Sequence, residues 1–256
     1  MFFKIKTRIL LIIALLLLIK CGSKKTAISN YNKKEPKLLI SYIKTSTKNG
    51  KANGSIYEYK YLYDSLNRPI SLLVKKDKKP NGYSKIIYHN NQNIIEKYDV
   101  SGKKIEVKVI EYNEGLPKKI NYFDGTKKVK SENYLYDSIE RLVQIKTTRY
   151  KKVKMDSVIT FLNFKYLKNN KVEELGKYGV LSLREFDTLK SPFTKIPYRR
   201  LDAKPLNNLI SYKSFHGGDL SSNIINSYDE DGYLIKVVHE FYNASQTYTT
   251  EYKYNK

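Results

Sequence analysis

The stretch from Tyr57 to Val74 constrains the fold more than any other part of the chain. It reads Tyr57-Glu58-Tyr59-Lys60-Tyr61-Leu62-Tyr63-Asp64, then Ser65-Leu66-Asn67-Arg68, then Pro69-Ile70-Ser71-Leu72-Leu73-Val74. Successive side chains of a strand point to opposite faces, so the four tyrosines share one face. Asp64 and Asn67 bracket a tight turn, because short polar side chains bond their own backbone there. A second strand follows. The same unit of strand, Tyr-Asp turn and strand recurs at Tyr98-Asp99-Val100-Ser101-Gly102, at Tyr136-Asp137-Ser138-Ile139-Glu140 and at Tyr228-Asp229-Glu230-Asp231-Gly232. Shorter variants stand at Tyr112-Asn113-Glu114-Gly115 and Tyr122-Phe123-Asp124-Gly125. Self-similarity in one phase marks a repetitive architecture.

Alternating or β-branched segments follow one another from Leu38–Ser46 and Ser55–Tyr63 through Lys127–Tyr136 and Arg141–Tyr150 to Tyr233–Tyr242 and Gln246–Tyr254. Turn signals at Asn49-Gly50, Asn53-Gly54, Asn81-Gly82, Ser101-Gly102 and Asp124-Gly125 separate them. Turns this short join only antiparallel neighbours. Asn170 to Lys177 has room for one helical turn. The expected fold is all-β: a long antiparallel meander of about 12–16 strands, forming a curved single sheet or a partial barrel, since so long a ladder curls. The tyrosine faces are expected to form its core, with an exposed aromatic platform as the alternative.

The N-terminus reads differently. Lys4, Lys6 and Arg8 precede an apolar run from Ile9 to Ile19, which is too short to span a bilayer comfortably but suits a signal-peptide core. It ends at Cys21, the only cysteine, so no disulfide supports the fold. A lone cysteine placed here resembles the lipobox of bacterial lipoproteins, whose sulfur takes a diacylglycerol, although Lys20 stands where Gly, Ala or Ser is usual. The resemblance implies a signal peptide over residues 1–20, lipidation at Cys21, and attachment to the outer membrane. Gly22-Ser23-Lys24-Lys25 carries no acidic run, which favours facing the periplasm over the cell surface. Residues 21–36 are polar and aperiodic and read as a tether, leaving 37–256 for the β domain.

The Tyr-Asp turns resemble the YD-type repeats of Rhs-related bacterial surface proteins. Glu185-Phe186-Asp187-Thr188-Leu189-Lys190-Ser191-Pro192-Phe193, with Asn207-Asn208 and the closing Tyr-Asp-Glu-Asp-Gly-Tyr, resembles lipoproteins of unknown function from Bacteroidota. That family implies a long antiparallel meander and supplies no catalytic residues.

Chemistry-bearing motifs are sparse. His89, His216 and His239 lack metal-ligand spacing, so no metal and no cofactor is expected. Phe215-His216-Gly217-Gly218-Asp219 resembles an esterase oxyanion loop but has no nucleophile elbow beside it. Asp229-Glu230-Asp231-Gly232 sets several carboxylates near a glycine but is too short for a calcium loop and reads as a turn. The net charge is +23, and removing Lys4, Lys6, Arg8 and Lys20 leaves +19. Such a field favours anionic envelope polymers or lipid head groups. It also solvates strand faces and guards against edge pairing. Export separates the chain from nucleic acid, and none is expected as a partner. A monomer is expected.

Between Asp187 and Asn208 the strand pattern breaks around Pro192, Pro197 and Pro205. Phe186, Phe193, Tyr198, Arg199 and Arg200 make this stretch the candidate binding loop, because aromatic and Arg side chains dominate binding hot spots. The alternative role for Phe193 and Tyr198 is to plug one end of the sheet. The functional expectation is a non-enzymatic envelope lipoprotein presenting a β-surface for binding or structural roles. The alternatives are a periplasmic lipid or lipoprotein carrier with an acyl pocket on the curved sheet and, behind it, a glycan-acting enzyme.

Overall fold

In the computed structural model, which describes residues 37–150, 157–190, 207–215, 220–241 and 245–255, the Asp of each repeat folds its own turn. Asp64 Oδ1 accepts from the backbone N–H of Leu66 (3.0 Å) and of Arg68 (2.9 Å). Asp99 does the same with Ser101 and Lys103, Asp137 with Ile139 and Arg141, and Asp229 with Asp231 and Tyr233. The third residue after each Asp takes a left-handed φ: Asn67 (57°), Gly102 (81°), Glu140 (61°) and Gly232 (78°). Asn and Gly adopt that region at little cost. Glu140 is held there by the turn's own bonds, including its N–H to the Asp137 carbonyl (3.0 Å).

These turns join strands β1 (Leu39–Lys48), β2 (Lys51–Ala52), β3 (Tyr57–Tyr63), β4 (Pro69–Lys76), β5 (Lys79–Tyr88), β6 (Gln92–Tyr98), β7 (Lys104–Asn113), β8 (Leu116–Asp124) and β9 (Lys127–Tyr136). The chain continues through β10 (Leu142–Tyr150), β11 (Ser157–Tyr166), β12 (Lys171–Gly176), β13 (Gly179–Lys190), β14 (Asn207–Ser214), β15 (Leu220–Tyr228), β16 (Leu234–Phe241) and β17 (Gln246–Tyr254). Every pairing among the described residues is antiparallel and joins sequence neighbours, with two exceptions. β2 is a two-residue spur on β1, so β1 pairs directly with β3. β1 also pairs with β17, from Leu39↔Tyr254 to Lys48↔Gln246.

The all-β antiparallel meander is as expected, and that last ladder takes the expected curved sheet or partial barrel further: the meander closes into a sixteen-strand barrel. An even number of antiparallel strands returns the last strand alongside the first in the sense needed to pair, and closure leaves no edge. Lys37, just before β1, ties the junction by ion pairs to Asp229 and Asp231, each 2.8 Å.

Two local expectations also change. Residues 170–177 hold no helical turn but strand β12, entered through left-handed Asn169 and Asn170. Its adjacent glutamates disguise it, yet Val172 and Glu174 are buried on one face as a strand requires. Asn81-Gly82 is not the β4–β5 turn but part of β5, and the turn is Asp77-Lys78, both left-handed. Gly82 (φ +95°) lies so close to β6 that a Cβ there would stand 2.3 Å from the Tyr98 carbonyl oxygen. Only glycine fits.

The tyrosine face turns inward. Tyr61 and Tyr42 are buried, and Tyr59 stacks on Tyr42 at 4.4 Å. One core cluster holds Leu39, Tyr42, Tyr61 and Leu72. A second runs around β5–β13 through Ile86, Ile95, Ile110, Ile120, Tyr134, Leu142, Phe164, Val172 and Phe186. Lys60, Lys85, Lys119 and Lys146 flank inward-facing residues and so point outward. Outward ion pairs such as Lys165–Glu173 (3.5 Å) and Lys104–Glu96 cross between strands.

Candidate ligand cavity at the open end of the barrel

Alternation gives the barrel two unlike ends. At the end where β3 stops and β4 starts, inward side chains are mostly apolar or tyrosine and are buried or half-buried. Five tyrosines close that end by donating to carbonyls at the start of a neighbouring strand: Tyr63 to Leu39 (2.6 Å), Tyr88 to Pro69 (2.8 Å), Tyr136 to Pro117 (2.9 Å), Tyr166 to Leu142 (3.0 Å) and Tyr254 to Leu234 (2.8 Å). Burial raises the phenol pKa of Tyr166 to about 12, keeping the donor protonated. The Arg68 guanidinium binds Asp64 and covers the Tyr88 ring at 4.7 Å; Arg141 binds Asp137 and covers Tyr166 at 4.5 Å.

At the opposite end the inward face is polar and wet. Lys44 stands over Tyr42 and Tyr59, Lys76 over Tyr57, and Lys108 over Tyr122. The inward-facing Val158 is 44% exposed, so solvent reaches the interior there. Glu132 accepts from Tyr122 and Tyr134 and from Lys130 (2.9 Å). Burial works against its charge, but the bonds from Tyr134, Lys130 and Tyr122 outweigh it and hold the carboxyl below its usual range.

A cavity of about 590 Å³ opens at this end, at the seam between the two core clusters. Tyr59, Leu72 and Val74 from one cluster and Ile95 from the other form apolar wall, and Lys97, Lys108 and Glu106 add charge. Lys108 pairs with Glu106 at 3.1 Å. Lys97 has no ion-pair partner among the described residues. Asp99 also lines the cavity, but its carboxylate is folded into its own turn, and the bond from the Ser101 hydroxyl (2.7 Å), with the backbone donors, lowers its pKa. The volume is that of a small-molecule site.

Of the residues singled out in the sequence, Cys21, Phe193, Tyr198, Arg199 and Arg200 lie outside the described residues, as does His216. Phe186 is part of the barrel core, 5% exposed. The proline-containing stretch enters between paired residues: Lys190 sits opposite Asn207 in the β13–β14 ladder. Asp187 Oδ1 accepts from Leu189 N (3.0 Å) and from Asn208 N (3.0 Å). This is the Asp turn of the repeat with residues 191–206 inserted and Asn208 taking the closing position.

His239 Nε2 lies 2.6 Å from Ser222 Oγ on the inward face, and burial lowers its pKa. No carboxylate orients the ring among the described residues, so the pair lacks the third group of an activated nucleophile. Asp229 and Asp231 are engaged with Lys37. No group of three His, Cys, Asp or Glu among the described residues is placed to hold a metal.

No family model and no curated protein matches the sequence. Among solved structures the barrel is similar to a porin-like protein from Bacteroides uniformis, at 13% identity and TM-score 0.58 over 86% of this chain and 99% of that one. It is equally similar in extent to a porin-like protein from Bacteroides vulgatus, at 9% identity and TM-score 0.55. The Tc holotoxin pore of Photorhabdus luminescens aligns at TM-score 0.27, 77% of this chain against 13% of that one. At these identities the likeness to the porin-like proteins is one of fold: a closed antiparallel β-barrel.

Proposed function

We propose that this protein is a non-enzymatic binding barrel of the bacterial envelope, lipid-anchored through Cys21 to the outer membrane and facing the periplasm. The direction of the barrel's polarity carries the reading. A barrel that crosses a bilayer needs an outward apolar band about 25 Å tall, and a lysine on that band costs roughly 2–4 kcal/mol at the midplane. Lys60, Lys85, Lys119 and Lys146 point outward from mid-strand and interrupt the outward apolar residues Ile43, Leu62, Leu73 and Ile87, while tyrosine, isoleucine and leucine fill the sealed half of the interior. Such a barrel belongs in water and needs a separate attachment, which a diacylglycerol on Cys21 would supply. The open-end cavity is then the binding site, and the +19 charge left without Lys4, Lys6, Arg8 and Lys20 favours anionic envelope molecules.

Two measurements test this. Labelled palmitate should enter the wild type and not Cys21→Ser. With a protease site inserted within residues 22–36, cleavage should release the barrel into the supernatant of washed membranes. A barrel that pellets with membranes after cleavage overturns the reading.

A further inference from the structure

Four features of the open-end cavity belong together. Its wall is apolar where the two core clusters fail to meet: Leu72, Val74 and Ile95 line it side by side with the rings of Tyr57 and Tyr59. Its charge is cationic and one-sided. Lys97 and Lys108 line it, while Lys44 and Lys76 stand within 6.0 Å of the Tyr59 and Tyr57 ring centres. Against these lysines only Glu106 offers a free-reaching carboxylate, since Asp99 is tied into its turn. Lys97, exposed and without an ion-pair partner among the described residues, sits beside Glu106 across the β6–β7 ladder, and the four lysines Lys44, Lys76, Lys97 and Lys108 outnumber the two carboxylates Glu106 and Asp99. Val100 and Ile105, 69% and 42% exposed, extend the apolar surface onto the rim.

We propose that the cavity binds a single-chain amphipathic anion, with its hydrocarbon chain against Leu72, Val74, Ile95 and the two tyrosine rings and its carboxylate or phosphate head at Lys97 and Lys108. The inference rests on the barrel being a water-facing binding protein and adds the class of its ligand. Apolar wall removes the chain from water, the dominant favourable contribution to such binding. The lysines select an anionic head over a neutral one. A purely polar acidic saccharide would leave the apolar wall unfilled. A neutral lipid would leave Lys97 without a counter-charge.

The test uses the mature lipidated protein in phosphatidylcholine vesicles and a palmitate analogue with a diazirine on its terminal carbon. On illumination, label should map to peptides carrying Leu72 to Lys76 and Ile95 to Lys97. Excess palmitate or excess lysophosphatidate should suppress it, and comparing the two tells a carboxylate head from a phosphate head. Excess hexadecanol, of the same chain length but uncharged, should compete about tenfold more weakly, and so should palmitate against the Lys97→Ala/Lys108→Ala pair, as expected for losing one charge-assisted contact. Lys97 is exposed and Lys108 partly so, and losing the Lys108–Glu106 pair should lower the melting temperature by no more than about 4 °C. Label confined to residues 21–36, hexadecanol equal to palmitate, or suppression by glucuronate oligomers instead would overturn the proposal. These results are separable from failure of the envelope reading, in which the cleaved barrel pellets with membranes whatever palmitate does.

Discussion

The two ends of the barrel are made by the same strands, yet one is sealed and the other open. At the sealed end most inward residues are apolar or tyrosine, the buried Asn93 being bonded to the Tyr112 hydroxyl, and the tyrosine that finishes a strand donates its hydroxyl to a carbonyl of the neighbour. At the open end the inward positions of the same strands carry Lys44, Lys76, Lys97, Lys108 and Lys130. Closure of a barrel therefore does not require a uniform interior. An apolar ring at one end excludes water and fixes the register. Strands anchored there can then carry charge at the other end, where their ladders remain intact and water satisfies the ammonium groups. Three of the four Asp turns, at Asp64, Asp137 and Asp229, stand at the sealed end, and only Asp99 folds a turn at the open one, beside the cavity.

The comparison breaks most sharply through buried apolar side chains. Ile110→Ala, at a fully buried position of the sealed half, should cost about 2–5 kcal/mol. In thermal denaturation that is a fall of roughly 4–20 °C. Val158→Ala, inward but at the wet end, should stay within about 0.5 kcal/mol of wild type. Equal losses would mean that the open end is packed as tightly as the sealed one.

Removing a single hydroxyl sharpens the same contrast. Tyr88→Phe deletes the half-buried bond to the Pro69 carbonyl and should cost about 1 kcal/mol, measured by urea denaturation. Tyr83→Phe, whose ring stacks on Tyr98 without a hydroxyl bond, should leave the midpoint unmoved.

Acid attacks the turns at both ends. The carboxyls of Asp64, Asp99, Asp137 and Asp229 all lie below their ordinary value of about 3.9, through bonds that their charged forms accept. A depressed pKa means that the folded state binds fewer protons. The stabilisation is therefore fully present above the unfolded value and is lost as pH falls through the folded ones. Melting temperature should be flat from pH 7 to 5 with respect to these groups and fall below about pH 4. In Asp64→Asn, whose amide cannot charge, that fall should be shallower.

The smallest effect concerns His239. Burial lowers its pKa, so by NMR its titration midpoint should lie below the free value of about 6.5. A midpoint above that value would require an acidic partner that the described residues do not supply.

Most of the strand order was legible because it is written in local terms. An Asp whose side chain reaches the second and fourth N–H after it, with Asn, Gly or Glu in the left-handed position, folds a turn without help from the rest of the molecule. Period-two alternation likewise fixed which tyrosines share a face. β12 escaped notice because Glu173 and Glu174 have low strand propensity, and only the cross-strand contact of Glu174 with Arg184 (2.7 Å) and Ser182 makes the site tolerable. The candidate loop shows the same limit. Asp187 carries the turn signature, but its closing donor, Asn208, lies 21 residues on, too far for any local pattern to reveal. Phe186 looked like a loop aromatic in sequence and is a core residue in space.

What the sequence determined by itself is the repeat: strands, turns, their antiparallel sense and the apolar face, all set by interactions within a few residues. Tertiary structure alone decided that β1 meets β17, that two core clusters leave a seam between them, and that lysines from β1, β4, β6 and β7 surround it. Each depends on residues tens to hundreds of positions apart, whose meeting is fixed by how sixteen strands twist and close rather than by any one stretch.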